Sequence, residues 1–178
     1  MPPGRWRTSI SPTHSSASWT GPTAAGQDPR RRLHTLWHPA ALDVAAMHEA
    51  AQALLGLHDF ATFCKPRVGA TTIRELQAFT WDRDEHGVLI ARLQADAFCR
   101  SMVRALVGAC VAAGGGKLTP GRAVELRDAA RRSSEFVVLP AKGLTLIEVG
   151  YPPDAELAAR AEQTRARRVG LPDSQGID

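Results

Sequence analysis

From position 43 onward, apolar side chains recur at helical spacing. Val44, Met47, Ala51, Leu54 and Leu55 share one side of a run that Asp43 can cap and Gly56 can stop, which predicts a helix over 43–55. A polar, glycine-containing connection over 57–69 follows. Residues 72–81 and 88–95 read as strands flanking 82–87, a stretch suited to a hairpin loop. The second of these alternates Leu89, Ala91, Leu93 and Ala95 on one face, as a half-buried strand does. Residues 98–113 are apolar nearly all round, which predicts a buried helix, and Gly114-Gly115-Gly116 ends it. Thr119 and Pro120 open a further helix to about position 131. A third strand is expected over 144–151. A polar helix over 154–169 is expected after it, with acids early and Arg165, Arg167 and Arg168 late, as the helix dipole favours. This order predicts an α+β fold, an antiparallel sheet with helices on one face.

The first 29 residues break the pattern. Seventeen of them are Ser, Thr, Gly or Pro, and Ile10 is the only aliphatic residue larger than alanine. Such a stretch buries too little apolar area to offset its ordering entropy, so a disordered N-terminal tail is expected over 1–29. The folded domain is placed at 30–170 and a short tail at 171–178. An arginine- and serine-containing, acid-poor tail also suits an organelle transit peptide, although no amphipathic helix is apparent in it.

Composition narrows the class. The 178-residue chain is 44% hydrophobic and 22% charged, in the range of ordinary globular proteins. No apolar run reaches the roughly 18 residues of a membrane span, and no secretory signal is visible, so no membrane partner is expected. Three scattered cysteines (Cys64, Cys99, Cys110) do not make a disulfide framework and suggest a reducing cytoplasm. Without a C-x-x-C pair, no metal site is expected. The net charge of +4 resides in the first 32 residues, which hold five arginines and one aspartate. The remainder is formally neutral, so any nucleic-acid surface in the body must come from local clustering. The 19 arginines against 3 lysines suit phosphate recognition, but a GC-rich coding sequence is the favoured account, since the excess runs along the whole chain.

Candidate chemistry concentrates in two places. Arg100 and Arg104 lie four apart on the helix otherwise built of Phe98, Met102, Val103, Leu106, Val107 and Val111, and Gly108 leaves the same face open to close approach. An arginine on so apolar a helix needs an anion: a catalytic carboxylate or phosphate on one reading, a local acid such as Asp96 on the other. Lys65 and Arg67, with Arg74 beyond, form a basic cluster interleaved with Phe60 and Phe63. That combination suits RNA, whose bases stack on rings while phosphates meet cations. A solvated loop anchored by the two phenylalanines is the alternative. His58, Asp59 and Cys64 offer a weak nucleophile constellation, against which a turn role for Asp59 and partial burial of His58 are favoured.

Three segments, LDVAAMHEAAQALLGLHDFATFC (42–64), ADAFCRSMVRALVGAC (95–110) and LPAKGLTLIEVGYP (139–152), resemble the C-terminal half of the tRNA pseudouridine synthase A family, in order and in spacing. The resemblance covers about residues 28–168. It implies a ferredoxin-like α+β half and an isomerase that converts uridine to pseudouridine on the 3′ side of the tRNA anticodon stem-loop. It also implies a cytoplasmic homodimer with no cofactor and tRNA as partner. In that family an aspartate attacks the flipped-out nucleoside, the glycosidic bond breaks, and the base turns and rejoins through C5. By the same resemblance Arg104 matches the arginine that pairs with this aspartate and Leu144 an apolar wall of the uracil pocket. Lys65, Arg67, Arg74 and Arg100 would face RNA.

The sequence also departs from the family pattern. The family aspartate lies in an Arg-Thr-Asp motif of the N-terminal half, and the sole Arg-Thr pair here, Arg7-Thr8, is followed by Ser9. The family's active-site tyrosine has no counterpart, since Tyr151 is the only tyrosine. The expectation is a truncated chain lacking the nucleophile, with residues 1–27 a wrong-frame or replaced start, a homodimer or a complementing catalytic half as partner, and activity only if the other half is supplied. A non-catalytic tRNA-binding module and an inactive gene fragment are the alternatives.

Overall fold

The computed structural model describes the backbone of Ser15–Thr20 together with residues 33–67, 70–150 and 154–156. In chain order these form β1 (Ser15–Thr20), α1 (Val44–Ala53), β2 (Gly56–Asp59), β3 (Ile73–Arg83), β4 (Leu89–Ala95), α2 (Met102–Gly114), α3 (Pro120–Asp128) and β5 (Leu144–Val149). A 3₁₀ turn, Asp154–Glu156, is what is described of the helix expected over 154–169. The expected end of the third strand at Tyr151 lies outside the described residues.

The five strands form one antiparallel sheet in the order β2-β3-β4-β1-β5. The α+β class with helices packed on the sheet is therefore as the pattern predicts. Asp43 caps α1, its Oδ1 accepting from the amides of Ala45 and Ala46 at 2.9 and 3.2 Å. Thr119 caps α3 through the amide of Arg122, with Pro120 in the first turn. Asp84 closes the hairpin loop by accepting from the amides of His86 and Val88. The buried positions of β4 alternate as Leu89, Ala91, Leu93 and Ala95, and these meet Met47, Leu54, Phe79, Met102 and Leu106 in one core.

Three expectations need correction. Disorder over 1–29 does not extend to Ser15–Thr20, which pairs with β4 on one side and β5 on the other. These residues have no apolar period that could announce a strand. What orders them is a main-chain ladder on both sides, because β4 and β5 each present backbone groups that require partners. The connection expected over 57–69 begins instead with β2, only four residues long and paired to β3. Gly56 enters it at φ +108°, a conformation that residues with a Cβ rarely adopt. The buried helix expected from position 98 starts at Met102, since Ser101 at φ +71° interrupts the run from Phe98.

Candidate functional site

The cysteines give a further correction. Cys64 and Cys99 form a disulfide across 35 residues of sequence, with Cα atoms 5.7 Å apart. Their separation in sequence hid the pairing. Cys64 ends the turn that follows β2, and Cys99 lies in the segment leading from β4 into α2. The two connections meet side by side, and the Lys65 amide donates to the Arg100 carbonyl at 2.8 Å, one residue beyond each cysteine. A thiol nucleophile at Cys64 is thereby excluded in this state. His58 is half-buried with Nε2 2.9 Å from the Leu55 carbonyl oxygen, and Asp59 accepts from the Ala61 amide and the Thr72 hydroxyl. Both are turn-building residues.

The junction gathers several of the candidate cations. Lys65, Arg67 and Arg100 are exposed, and the hydrogen bond between the two loops brings Lys65 and Arg100 together. Aromatic packing anchors the Lys65 loop, as Phe63 stacks on Phe136 with ring centroids 5.2 Å apart and touches Phe60 from the other side. Arg74 is placed differently. It stands on β3 opposite His58, half-buried, with Nη1 donating to the Ile73 carbonyl at 2.6 Å.

Arg104 occupies the first turn of α2, between buried Val103 and Ala105. Its guanidinium is half-buried and donates from Nη2 to the hydroxyl oxygen of Ser101 at 3.0 Å. Among the described residues it meets no carboxylate. Asp96, the acid suggested for that role, accepts instead from the amides of Glu75 and Ala97. The open face at Gly108 is taken by the protein itself. The strap between α3 and β5 crosses α2 there, so closely that a Cβ at 108 would overlap the Val137 carbonyl oxygen. The Leu139 amide donates to the Arg104 carbonyl at 3.2 Å. The strap then leads to Leu144, half-buried at the start of β5 and packed on the core.

Sequence reasoning did not find the groups that hold the strap. Arg122 donates from Nε and Nη2 to both carboxylate oxygens of Glu135 and from Nη1 to Glu125. The Arg122 hydrogen bond holds the Glu135 carboxyl below its ordinary range. Cys110 is fully buried in α2, and burial pushes its thiol up to about 12, against a smaller opposing effect of a hydrogen bond with Trp81. It is an inert core residue.

A family model described as tRNA pseudouridine synthase matches residues 50–152, spanning β2 to the end of β5 and including both loops and Arg104. The chain belongs to the tRNA pseudouridine synthase family. It is 63% identical over 143 residues to the tRNA pseudouridine synthase A of Leifsonia xyli, covering 80% of this chain and 50% of that protein. The enzyme of the same name from Frankia casuarinae is 52% identical, over 81% of this chain and 53% of that one. For that of Streptomyces griseus the figures are 47%, 92% and 62%. The chain thus spans about half the length of the curated relatives it matches. Within this pseudouridine synthase half, no described helix is long and apolar enough to cross a membrane.

Proposed function

We propose that this chain supplies the C-terminal half of a cytoplasmic isomerase that converts uridine to pseudouridine in the anticodon stem-loop of tRNA. The observation that carries the reading is Arg104, a half-buried cation on an apolar helix whose guanidinium meets, among the described residues, a neutral hydroxyl and no carboxylate. A carboxylate is the partner such a group calls for, because a desolvated charge is costly until it is compensated. That carboxylate would be the nucleophilic aspartate. Beside Arg104 it stays ionised and therefore able to attack the nucleoside.

No Arg-Thr-Asp triplet occurs in the 178 residues; on this reading the aspartate belongs to the half of the enzyme that these residues do not span. The exposed apolar residues of β5, Leu146 (61% exposed), Ile147 (57%) and Val149 (41%), support such a partner. Leu144 would wall the uracil pocket, while Lys65, Arg67 and Arg100 bind phosphates. Arg74 contributes from β3. The target base must leave its stack, at a cost of a few kcal/mol that such contacts offset. Two copies of each half would form the working dimer, with no cofactor.

The test is tritium release from tRNA labelled at uridine C5, since rejoining the base through C5 displaces that hydrogen. The chain is mixed with the N-terminal segment of the Leifsonia xyli relative that completes its length. Release that depends on both parts, and that Arg104→Ala abolishes, is the expected result. Release unaffected by Arg104→Ala overturns the role assigned to that residue. The exposed cation cluster alone favours a second reading, a non-catalytic tRNA-binding module. Binding that weakens steeply with salt, without release in any mixture, would select it.

A further inference from the structure

We propose that Cys64 and Cys99 form a reversible redox latch that fixes the spacing of the two loops bearing Lys65, Arg67 and Arg100. Three observations converge on it. The Cα–Cα distance of 5.7 Å lies in the span that a disulfide bridges without backbone movement. The bond runs beside the hydrogen bond from the Lys65 amide to the Arg100 carbonyl, so the two cross-links together join loops that no strand pairing joins. Immediately after Cys99 come exposed Arg100 and then Ser101, whose φ of +71° and hydroxyl set the position of Arg104. Freedom at Cys99 therefore passes directly into the residues that carry charge.

The environment suits reversibility. Cys64 is buried, and the packing of the neighbouring Phe63 on Phe60 and Phe136 keeps its loop in place whether or not the bond exists. Cys99 is half-exposed and accessible to a small oxidant. The reaction needs a low-molecular-weight disulfide. The Cys99 thiolate attacks one of its sulfurs, breaking that S–S bond and releasing one small thiolate. The Cys64 thiolate then attacks the Cys99 sulfur of the mixed disulfide and releases the second. Two electrons and two protons leave the protein, and two small thiols result. A small thiol in excess reverses both steps. In a reducing compartment such a bond forms only transiently, which makes it a switch rather than a permanent staple. Cys110 is fully buried in α2 and does not compete.

The effect on RNA rests on the tRNA reading above; the latch itself does not. The full chain is equilibrated with oxidised glutathione or with dithiothreitol, denatured, and alkylated with a maleimide. One modified cysteine after oxidation and three after reduction are expected; three in both states overturn the latch. Native trypsin cleavage after Arg100 is followed in the same samples, and it should be at least severalfold slower in the oxidised chain. tRNA affinity should be about tenfold higher when oxidised, the factor carried by ordering roughly one backbone residue. Cys64→Ser and Cys99→Ser chains should show no redox dependence in either readout. A bond that forms yet changes neither cleavage nor affinity overturns the control of the loops. Redox-dependent cleavage with no tRNA binding in either state supports the latch and overturns the tRNA reading instead.

Discussion

Replacing Gly108 by alanine asks whether the strap over α2 is held as closely as the structure indicates. A Cβ at this position would fall inside the 3.0 Å limit that real Cβ atoms keep from the Val137 carbonyl oxygen, with the carbonyl carbon at 3.1 Å and Leu139 Cγ at 3.7 Å. The obstructing atoms are backbone, which cannot swing aside as a side chain can. The strap must lift, and the hydrogen bond from the Leu139 amide to the Arg104 carbonyl lengthens or breaks, costing about 1 kcal/mol. Phe136, 7% exposed and stacked on Phe63, is drawn outward with it, a loss of roughly 1.5–3 kcal/mol if its burial is surrendered. Against this, alanine in a helix interior is favoured over glycine by about 1 kcal/mol. The net expectation is a destabilisation of about 2 kcal/mol, read as a lowered midpoint in urea by tryptophan fluorescence. Gly121→Ala is the internal control, since nothing lies within 4 Å of its added methyl, and it should gain up to about 1 kcal/mol. If Gly108→Ala unfolds at or above the wild-type midpoint, the strap does not rest on α2. The path from Arg104 to Leu144 would then be wrong.

The Glu135 carboxyl is lowered by Arg122, so its contribution to stability is present above the ordinary carboxylate range and is lost as pH falls through the lowered folded value. The Tm difference between wild type and Glu135→Gln should therefore be largest near neutral pH, shrink under acid, and shrink again in high salt because the pair is exposed. Cys110, with its thiol pushed up to about 12, should resist iodoacetamide at pH 8.5 in the folded chain and react only on denaturation; mass spectrometry distinguishes the two. Thr62→Val removes the buried hydroxyl that donates to the Leu126 carbonyl at the end of α3. It should cost about 1–3 kcal/mol in urea unfolding, because the carbonyl is left without that partner.

What the sequence made legible follows physical type. Elements that bury many apolar side chains, α1, α2, β3 and β4, declare themselves in the apolar pattern because that burial is what stabilises them, whereas α3 is announced by its Thr119-Pro120 start. Their ends were legible where a side chain does the capping, at Asp43 and Thr119. β2 is too short for alternation to register, and β1 is ordered by main-chain pairing to neighbours far away in sequence. Neither cause leaves a mark on local residue pattern. The Cys64–Cys99 bond was hidden for the same reason: the sheet topology, and not the spacing of the cysteines, brings the two connections together.

Arg104 shows how far residue chemistry alone reaches. An arginine among Met102, Val103 and Leu106 signals a need for an acceptor, and the described residues supply one, but not an acid. A neutral hydroxyl gives such a group one charge-assisted bond, whereas a carboxylate can accept two in parallel and adds the attraction of opposite charges. Ser101 reaches Arg104 from a left-handed backbone conformation that carries its own strain. An arriving carboxylate would thus exchange a weaker, strained contact for a stronger one, and the difference favours association with whatever chain presents it. On the proposed function, the incomplete pairing of Arg104 is part of what drives the two halves of the site together.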